Sequence, residues 1–273
     1  MELFGRPLGS YSRGILHAPA LIRHAARAAF VFKRPWRLIA EYLLGRSPAT
    51  NQVVLRDGLE IGLSSHQHDL RTVFVVFARQ DYGDIAPGSV ILDIGANIGC
   101  FSLFAARAGA ARVLAFEPCH ESYSTLVTNI ERNRYAAVIE PHRYAVTERS
   151  GAVVQIPRQS SPGNRISHAV SSIPTDDVET ISLEDIRRRY AIDNINLLKL
   201  DCEGAEYDIV FQAPPSVWPS VEQIRLEYHN GRADELRRYL EQQGYVVTRH
   251  SSRLVAGDEH GDLWLARPDH RRT

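Results

Sequence analysis

Residues 90–99, which read Val-Ile-Leu-Asp-Ile-Gly-Ala-Asn-Ile-Gly, restrict the fold of this chain more than any other segment. The apolar residues that lead into an acid predict a buried strand, and the two glycines predict a tight turn after it. The spacing of Ile98, Phe101 and Phe104 then predicts a helix that packs back onto the sheet. A strand, a glycine turn and a helix in this order are typical of the crevice in which α/β proteins bind nucleotide cofactors.

The spacing of the glycines narrows the class of cofactor. A dinucleotide fingerprint requires G-x-G-x-x-G and a P-loop requires Gly-Lys-Ser/Thr, whereas this turn has G-x-x-x-G behind an acid. Such a turn is poorly suited to a pyrophosphate, but its acid suits a cationic group such as an amine or a sulfonium. The candidate binding residues of the turn are Asp93, Gly95, Ala96, Asn97, Ile98 and Gly99.

A second predicted strand, residues 112–116, ends in an acid and a proline. At this place in an open α/β sheet, Glu117 can hold ribose hydroxyls, with Pro118 beside it. The plain alternative is that Asp93 caps a helix and that Glu117 is an ordinary charge at the end of a strand.

Two further strands bring acids and a histidine to the same edge of the sheet. Residues 195–201 form an apolar strand that ends in Asp201 and is followed by Glu203, and residues 224–229 form a strand that contains Glu227 and His229. Ligands bind at the carboxyl ends of such strands, so these four residues are the catalytic candidates, and Asp201 is also a candidate for binding the cofactor. Glu227 and His229 share a face of the strand, which predicts His229 as a general base oriented by Glu227. A purely structural histidine is the alternative.

These motifs together resemble the FkbM family of class I S-adenosylmethionine-dependent methyltransferases. The resemblance rests on DIGANIG at 93–99, FEP at 116–118, LKLDCEGAEYDIV at 198–210 and LEYH at 226–229. It implies an α/β chain with a Rossmann-like methyltransferase fold, in which a seven-stranded, mostly parallel sheet carries helices on both faces. It also implies S-adenosylmethionine as the cofactor and transfer of a methyl group to a hydroxyl of a small-molecule natural product, sugar or glycolipid.

The resemblance adds two residues and one open question about a metal. It implies that Ala145 lies beside the adenine and that Tyr82 belongs to the pocket, although Tyr82 can equally be a core aromatic. Some related O-methyltransferases bind magnesium at the corresponding strand ends, so a magnesium ion held by Asp201, Glu227 and His229 stays open. Histidine is a poor magnesium ligand, and no metal ligands are assigned.

Two rival functions also stay open. A NAD-dependent Rossmann oxidoreductase or epimerase is disfavoured by the missing second glycine of the fingerprint. A non-catalytic module that binds a membrane surface is disfavoured by the intact turn and its acids.

Composition excludes other classes of protein and partner. The chain of 273 residues has a formal net charge of zero, so no basic field points to nucleic acid. Its three cysteines show no metal-ligand spacing, which favours a reducing, cytoplasmic location. Cys202 lies between acids that would raise its pKa, and we interpret all three cysteines as packing residues. A small-molecule or glycan acceptor fits best, and a homo-oligomer is left open.

The amino-terminal segment differs from the rest of the chain. We divide the sequence into a basic helical extension (1–50), a methyltransferase catalytic domain (51–268) and a tail (269–273). Residues 1–46 carry eight Lys and Arg against two Glu, and helices are predicted at 20–32 and 36–44. The charges exclude a spanning helix and argue against a signal peptide. Peripheral contact with a membrane is one interpretation, and capping the cleft or pairing subunits is the other.

The remaining predictions concern connections and edges. Ser182 and Asp185 predict a capped helix, and the Ser-, Pro- and Gly-rich residues 157–177 predict a long loop that closes over the acceptor. The other predicted elements are a hairpin at 52–55 and 59–63, a helix at 69–78, and closing strands at 245–248 and 263–266.

Overall fold

The structure is a computed structural model, and it describes residues 2–3, 6–7, 18–44, 50–64, 67–159, 174–255 and 258–268. Its strands in chain order are β1 (Glu2–Leu3), β2 (Arg6–Pro7), β3 (Gln52–Val54), β4 (Glu60–Gly62), β5 (Val90–Ile94), β6 (Arg112–Phe116), β7 (Ile139–His142), β8 (Ala145–Val146), β9 (Val153–Pro157), β10 (Thr175–Ile181), β11 (Ile195–Leu200), β12 (Val221–Tyr228), β13 (Val246–Val255) and β14 (Asp258–Ala266). Its α-helices are α1 (Ala18–Val31), α2 (Pro35–Leu44), α3 (Gln67–Val73), α4 (Cys100–Arg107), α5 (His120–Arg132), α6 (Leu183–Arg189), α7 (Glu206–Gln212) and α8 (Ala233–Gln242). A π-helix spans Phe74–Arg79 and a 3₁₀ turn spans Trp218–Ser220.

Seven strands form the central sheet in the order β13-β14-β12-β11-β5-β6-β7. The pairs from β12 through β7 are parallel, whereas β14 is antiparallel to both β12 and β13. This arrangement confirms the predicted Rossmann-like fold with a mostly parallel sheet. The strand order reverses between β5 and β11, and the carboxyl ends of these two strands flank the crevice in which such sheets bind ligands.

The central strands are buried on both faces because helices cover each side. Side chains alternate along β5, so Ile91 belongs to one apolar cluster, while Leu92 and Ile94 belong to another. Helices α4 and α5 pack on the first face, and α6, α7 and α8 contribute to the second. This two-sided burial explains why the sequences of β5 and β6 are continuous apolar runs.

The described part of the amino-terminal segment packs into the same core as the sheet. Phe32 and Leu38 share an apolar cluster with Phe77 and Phe104, and Phe32 pairs with Leu55 through an isolated β-bridge. Helix α2 begins at Pro35, whose fixed φ suits the first turn of a helix. Among the described residues, no helix combines the length and the apolar character needed to cross a membrane.

Several local predictions are confirmed and others are corrected. Strands β5 and β6 begin and end where predicted, and the Ser182 hydroxyl accepts a hydrogen bond from the Asp185 amide at 3.2 Å. The helix predicted at 69–78 is instead α3 followed by the π-helix, because periodicity cannot reveal one extra residue per turn. The closing strands are longer than predicted and form a hairpin.

The predicted loop at 157–177 is wrong at both ends. Pro157 ends β9 and Thr175 begins β10, and these two strands pair antiparallel in a small sheet that also contains β8. The first residues of β10 are polar and partly exposed, so composition alone predicted a loop there instead of a strand. Residues 160–173, the centre of the predicted lid, lie outside the described residues.

Candidate active site

A cavity of about 390 Å³ opens at the carboxyl ends of the central strands. Eight predicted cofactor residues and all four predicted catalytic residues line it, with Asp201 counted in both groups: Tyr82, Gly95, Ala96, Asn97, Glu117, Pro118, Ala145, Asp201, Glu203, Glu227 and His229. Most of the predicted site residues therefore line one continuous cavity. Its volume is within the range of small-molecule and cofactor sites.

The glycine turn after β5 forms the floor of the cavity. The amides of Gly95 and Ala96 both donate to the Phe116 carbonyl at 3.0 Å, which ties the turn to β6. Gly95 has a φ of +76°, and a Cβ atom at this position would lie 1.9 Å from the Asp201 carbonyl oxygen. Only glycine fits here, because any side chain would collide with the backbone of the turn that follows β11.

Asp93 lies below the cavity rather than on its surface. The side chain is fully buried, with Oδ1 at 3.0 Å from Lys199 Nζ and Oδ2 accepting from the Ser102 hydroxyl at 2.6 Å. Lys199 also donates to the Gly95 carbonyl at 2.6 Å. The expectation that Asp93 meets a cationic ligand directly is therefore corrected, because Lys199 already neutralises it and links it to the turn.

Ile98 and Gly99 also lie away from the cavity lining. Ile98 is fully buried, and its carbonyl accepts a hydrogen bond from Asn129 at 2.9 Å. A Cβ atom on Gly99 would lie 2.5 Å from Leu126, so this glycine permits close packing of α5. Their predicted role in binding is corrected to a role in packing the start of α4.

Glu117 lies where β6 ends, and backbone groups orient its carboxylate. It accepts hydrogen bonds from the amide of Asn97 at 2.8 Å and from the amide of Cys119 at 2.9 Å. Burial raises the pKa of Glu117 to about 7, against the opposing effect of these two bonds. The carboxylate lines the cavity with lone pairs left for further donors.

Asp201, Glu203 and His229 gather just beyond the ends of the neighbouring strands β11 and β12. His229 Nε2 is 3.5 Å from a Glu203 oxygen, and the Tyr82 hydroxyl donates to Asp201 at 2.8 Å. The backbone of Glu203 has a φ of +56°, a conformation that costs energy outside glycine and is common at functional sites. Tyr82 is thus both a pocket residue and a packing residue, since its ring also lies 5.2 Å from that of Phe101.

Glu206 orients the His229 ring, although Glu227 was predicted to do so. His229 Nδ1 lies 3.2 Å from a Glu206 oxygen, and the same carboxylate accepts from the amides of Cys202 and Gly204 at 2.8 Å each. Glu227 instead pairs with Arg253. Burial lowers the pKa of His229, but the hydrogen bond and charge of Glu206, with the charges of Asp201 and Glu203, have the larger effect. The pKa of His229 is therefore raised to about 9.

Two neighbouring groups are affected by the same crowding of carboxylates. Burial and the adjacent charge of Asp201 raise the pKa of Glu227 to about 7 despite its contact with Arg253. Burial, followed by the charges of Glu206 and Asp201, raises the pKa of the Cys202 thiol well above its usual value. The prediction that Cys202 is not an activated thiol agrees with this direction.

One cluster in the described residues has the composition of a metal site. Asp201, Glu203 and His229 each offer one ligand atom, and these atoms lie within 4.8 Å of one another. The set differs from the predicted one, because Glu203 replaces Glu227. Glu206 behind the imidazole corresponds to the carboxylate that commonly supports a histidine ligand.

Another part of the cavity wall comes from α3 and the π-helix. His68, Arg71, Thr72, Val75 and Arg79 all line the cavity. Arg79 pairs with Asp81 at 2.5 Å, whereas Arg71 makes no ion pair with any residue that the structure describes. Sequence reasoning missed this wall, because its residues carry no recognisable spacing.

Two other missed residues left a signal in the sequence. Lys199 stands between apolar residues in the middle of a buried strand, where a charge requires a partner. Glu206 lies in the first turn of α7, where an acid commonly complements the helix dipole at the surface, yet its side chain is fully buried. Buried charges next to a ligand-binding edge are functional candidates on physical grounds.

The strand order, the glycine turn and the acid after β6 define the class as the Rossmann-like fold of methyltransferases. The sequence matches the family model described as "Methyltransferase FkbM domain" over residues 93–247, which is more than half of the chain. The chain belongs to the FkbM methyltransferase family.

Curated relatives differ in how much of their length is matched. The chain is 27% identical over 260 residues to the AMB antimetabolite synthetase AmbE of Pseudomonas aeruginosa, covering 78% of this chain but only 12% of AmbE. It is 26% identical over 209 residues to 31-O-demethyl-FK506 methyltransferase FkbM of Streptomyces tacrolimicus, covering 64% and 80% of the two chains. It is 27% identical over 142 residues to the hexuronic acid methyltransferase AglP of Haloferax volcanii, covering 52% and 56%.

Proposed function

We propose that the protein transfers a methyl group from S-adenosylmethionine to a hydroxyl of a small-molecule natural product, sugar or glycolipid. The observation that carries this proposal is that one cavity is lined by two chemically distinct sets of residues. The Gly95 turn and Glu117 offer a surface for a nucleoside, and Asp201 with His229 offers a carboxylate and an imidazole next to that surface.

The residues around the glycine turn fit S-adenosylmethionine. Glu117 faces the cavity with its carboxylate fixed by two amides, which suits the hydroxyls of a ribose. Gly95 leaves the backbone bare, so a ligand can approach it closely. Asp201 and Glu203 supply negative charge for a cationic ligand. When bound, the cofactor supplies an electrophilic methyl group on a sulfonium.

His229 is the proposed general base. Glu206 holds Nδ1 as the protonated nitrogen, so Nε2 is the atom that faces the cavity and accepts a proton from the acceptor hydroxyl. Because the pKa of His229 in the folded protein is raised to about 9, the fraction of neutral His229 that can accept a proton increases as the pH rises toward 9. The other residues mainly align the two substrates and exclude water, which in-line displacement requires.

Arg71 favours an acceptor that carries a negative charge. Its guanidinium lines the cavity and makes no ion pair within the described residues, so it is available to a carboxylate or phosphate. The relative AglP is named for a hexuronic acid, and a uronic acid combines a hydroxyl with such a carboxylate. We expect Arg71→Gln to raise the KM for an acidic sugar about tenfold or more. The KM for the corresponding neutral sugar should stay unchanged.

A divalent ion is a second way to activate the hydroxyl, favoured by the cluster of Asp201, Glu203 and His229. An ion held there would lower the pKa of an acceptor oxygen. Its mixed oxygen and nitrogen ligands suit manganese or zinc better than magnesium. Loss of activity on treatment with a chelator, restored by manganese, would favour this route over a histidine base.

A methylation assay tests the proposal directly. The protein would be incubated with S-adenosylmethionine and a panel of uronic acids, neutral sugars and hydroxylated natural products, and the products would be analysed by mass spectrometry. We expect a gain of one methyl group on an acceptor oxygen, at a rate that rises toward pH 9 and falls at least a hundredfold in His229→Gln. A methylated nitrogen or carbon, or turnover with NAD alone, would contradict the proposal.

A further inference from the structure

The corner between α1 and α2 exposes two large aromatic side chains. Phe30 is 80% exposed and Trp36 is 72% exposed, whereas Phe32 between them is 1% exposed. Burying such side chains is favourable, so their exposure on a folded surface points to a contact made with something else.

The corner is held rigidly, so the exposure is not that of a loose end. The Lys33 amide donates to the Val54 carbonyl at 3.0 Å, and the Arg56 amide donates to the Val31 carbonyl at 2.8 Å. Buried Phe32 anchors the same turn in the core. Phe30 and Trp36 therefore project from a fixed frame.

Exposed cations neighbour the two aromatic residues along the chain. Arg23, Lys33 and Arg34 are exposed, and none of them pairs with a carboxylate in the part of the chain that the structure describes. The nearby acid Glu41 is held by Arg37 at 2.9 Å. Burial and the adjacent charges of Arg79 and Arg23 lower the pKa of His24, so this side chain adds little charge at neutral pH.

We propose that this corner, defined by Phe30, Lys33, Arg34 and Trp36, docks on an anionic lipid surface. Aromatic side chains enter the boundary between headgroups and acyl chains, while Lys and Arg pair with lipid phosphates. The centre of a protein–protein interface is usually depleted of charged residues, in contrast to this corner. Each cation near an anionic surface adds attraction that falls as salt increases.

The corner lies at the end of a helix that packs against one wall of the cavity, so docking through the corner would also position the cavity. Helix α1 packs against the π-helix, and His24 on α1 lies close enough to feel the charges of Arg79 and Asp81, which line the cavity. Docking through the corner would hold one wall of the cavity near the lipid surface. The proposal stands independently of the methyl-transfer reaction, because lipid binding can be measured without cofactor or acceptor.

Vesicle sedimentation of the full-length protein tests the proposal. The vesicles would contain phosphatidylcholine alone or mixed with phosphatidylglycerol, at low and at high salt. We expect binding to the mixed vesicles that is weakened by salt, and little binding to the neutral ones. Phe30→Ser with Trp36→Ser, and separately Lys33→Gln with Arg34→Gln, should each weaken binding about tenfold or more.

Val153→Ser is the matched control, since Val153 is 64% exposed on β9 in a different sheet. It should bind vesicles like the unchanged protein, and circular dichroism would verify that all variants fold. Absence of binding to anionic vesicles, or equal loss in the control, would overturn the proposal. A dimer in light scattering that the aromatic double variant dissociates would also overturn it and would assign the corner to a second copy of the chain.

Discussion

Lys199 determines how the site is built at the level of single residues. Its ammonium group is buried between the Asp93 carboxylate and the Gly95 carbonyl, so one side chain connects β5, β11 and the glycine turn. Burial disfavours the charge, but Asp93 and then Asp201 outweigh it and raise the pKa of Lys199. The lysine thus stays charged and holds the turn in place below the cavity.

This arrangement predicts a large effect of breaking the ion pair. Lys199→Met leaves the Asp93 carboxylate buried without its partner, and we expect a loss of about 3 to 5 kcal/mol in the free energy of unfolding. The double variant Asp93→Asn with Lys199→Met should recover part of this loss, because no buried charge remains. Urea unfolding of the unchanged protein, the two single variants and the double variant would measure these free energies. A loss in the double variant equal to the sum of the losses in the two single variants would contradict the account.

His229 predicts a specific dependence of stability on pH. Its pKa in the folded protein is about 9, raised from 6.5, so its stabilising contribution is complete below pH 6.5 and disappears as the pH rises through 9. His229→Gln removes this contribution. We expect the stability difference between the two proteins to shrink by on the order of 2 kcal/mol between pH 6.5 and 9, measured by urea unfolding. A constant difference would mean that the ring is neutral in the folded protein.

At the level of elements, the turn after β5 combines a special backbone conformation with a close contact. Gly58 provides the control, since its φ of +100° is equally unusual but a Cβ atom there would have no atom within 4 Å. We expect Gly58→Ala to cost about 1 kcal/mol and to leave cofactor binding unchanged. Gly95→Ala should cost more and abolish detectable binding, as tested by calorimetry and urea unfolding. Similar effects of the two substitutions would contradict a steric role for Gly95.

Phe30, near the end of α1, and Phe32, just after this helix, form a matched pair that tests how the extension is attached. Phe32 is in the core and Phe30 is in solvent, two residues apart. We expect Phe32→Ala to lower the free energy of unfolding by about 3 to 5 kcal/mol, and Phe30→Ala to change it by less than about 0.5 kcal/mol. Thermal and urea unfolding would separate the two variants. A small effect of Phe32→Ala would instead mean that residues 1–50 form a separate unit.

At the level of the whole molecule, the sequence predicted what local patterns encode. Strands β5 and β6 are short apolar runs bounded by turn residues, so their limits were visible. The acids at strand ends were visible for the same reason. The contacts of His229 were not, because Glu206 lies 23 residues away and meets it only through the fold. The contact between Asp93 and Lys199 was not visible either, because these residues are far apart in the sequence and lie opposite each other on the adjacent strands β5 and β11.

The measurement that tests the central claim most directly is calorimetric titration with S-adenosylmethionine and, separately, with NAD. The account predicts saturable binding of S-adenosylmethionine alone, weakened at least tenfold by Glu117→Gln, because the carboxylate faces the cavity between two fixed amides. Glu148→Gln, a substitution at an exposed acid, should bind like the unchanged protein. Binding of NAD alone, or equal affinity in all three proteins, would contradict the assignment of this cavity to S-adenosylmethionine.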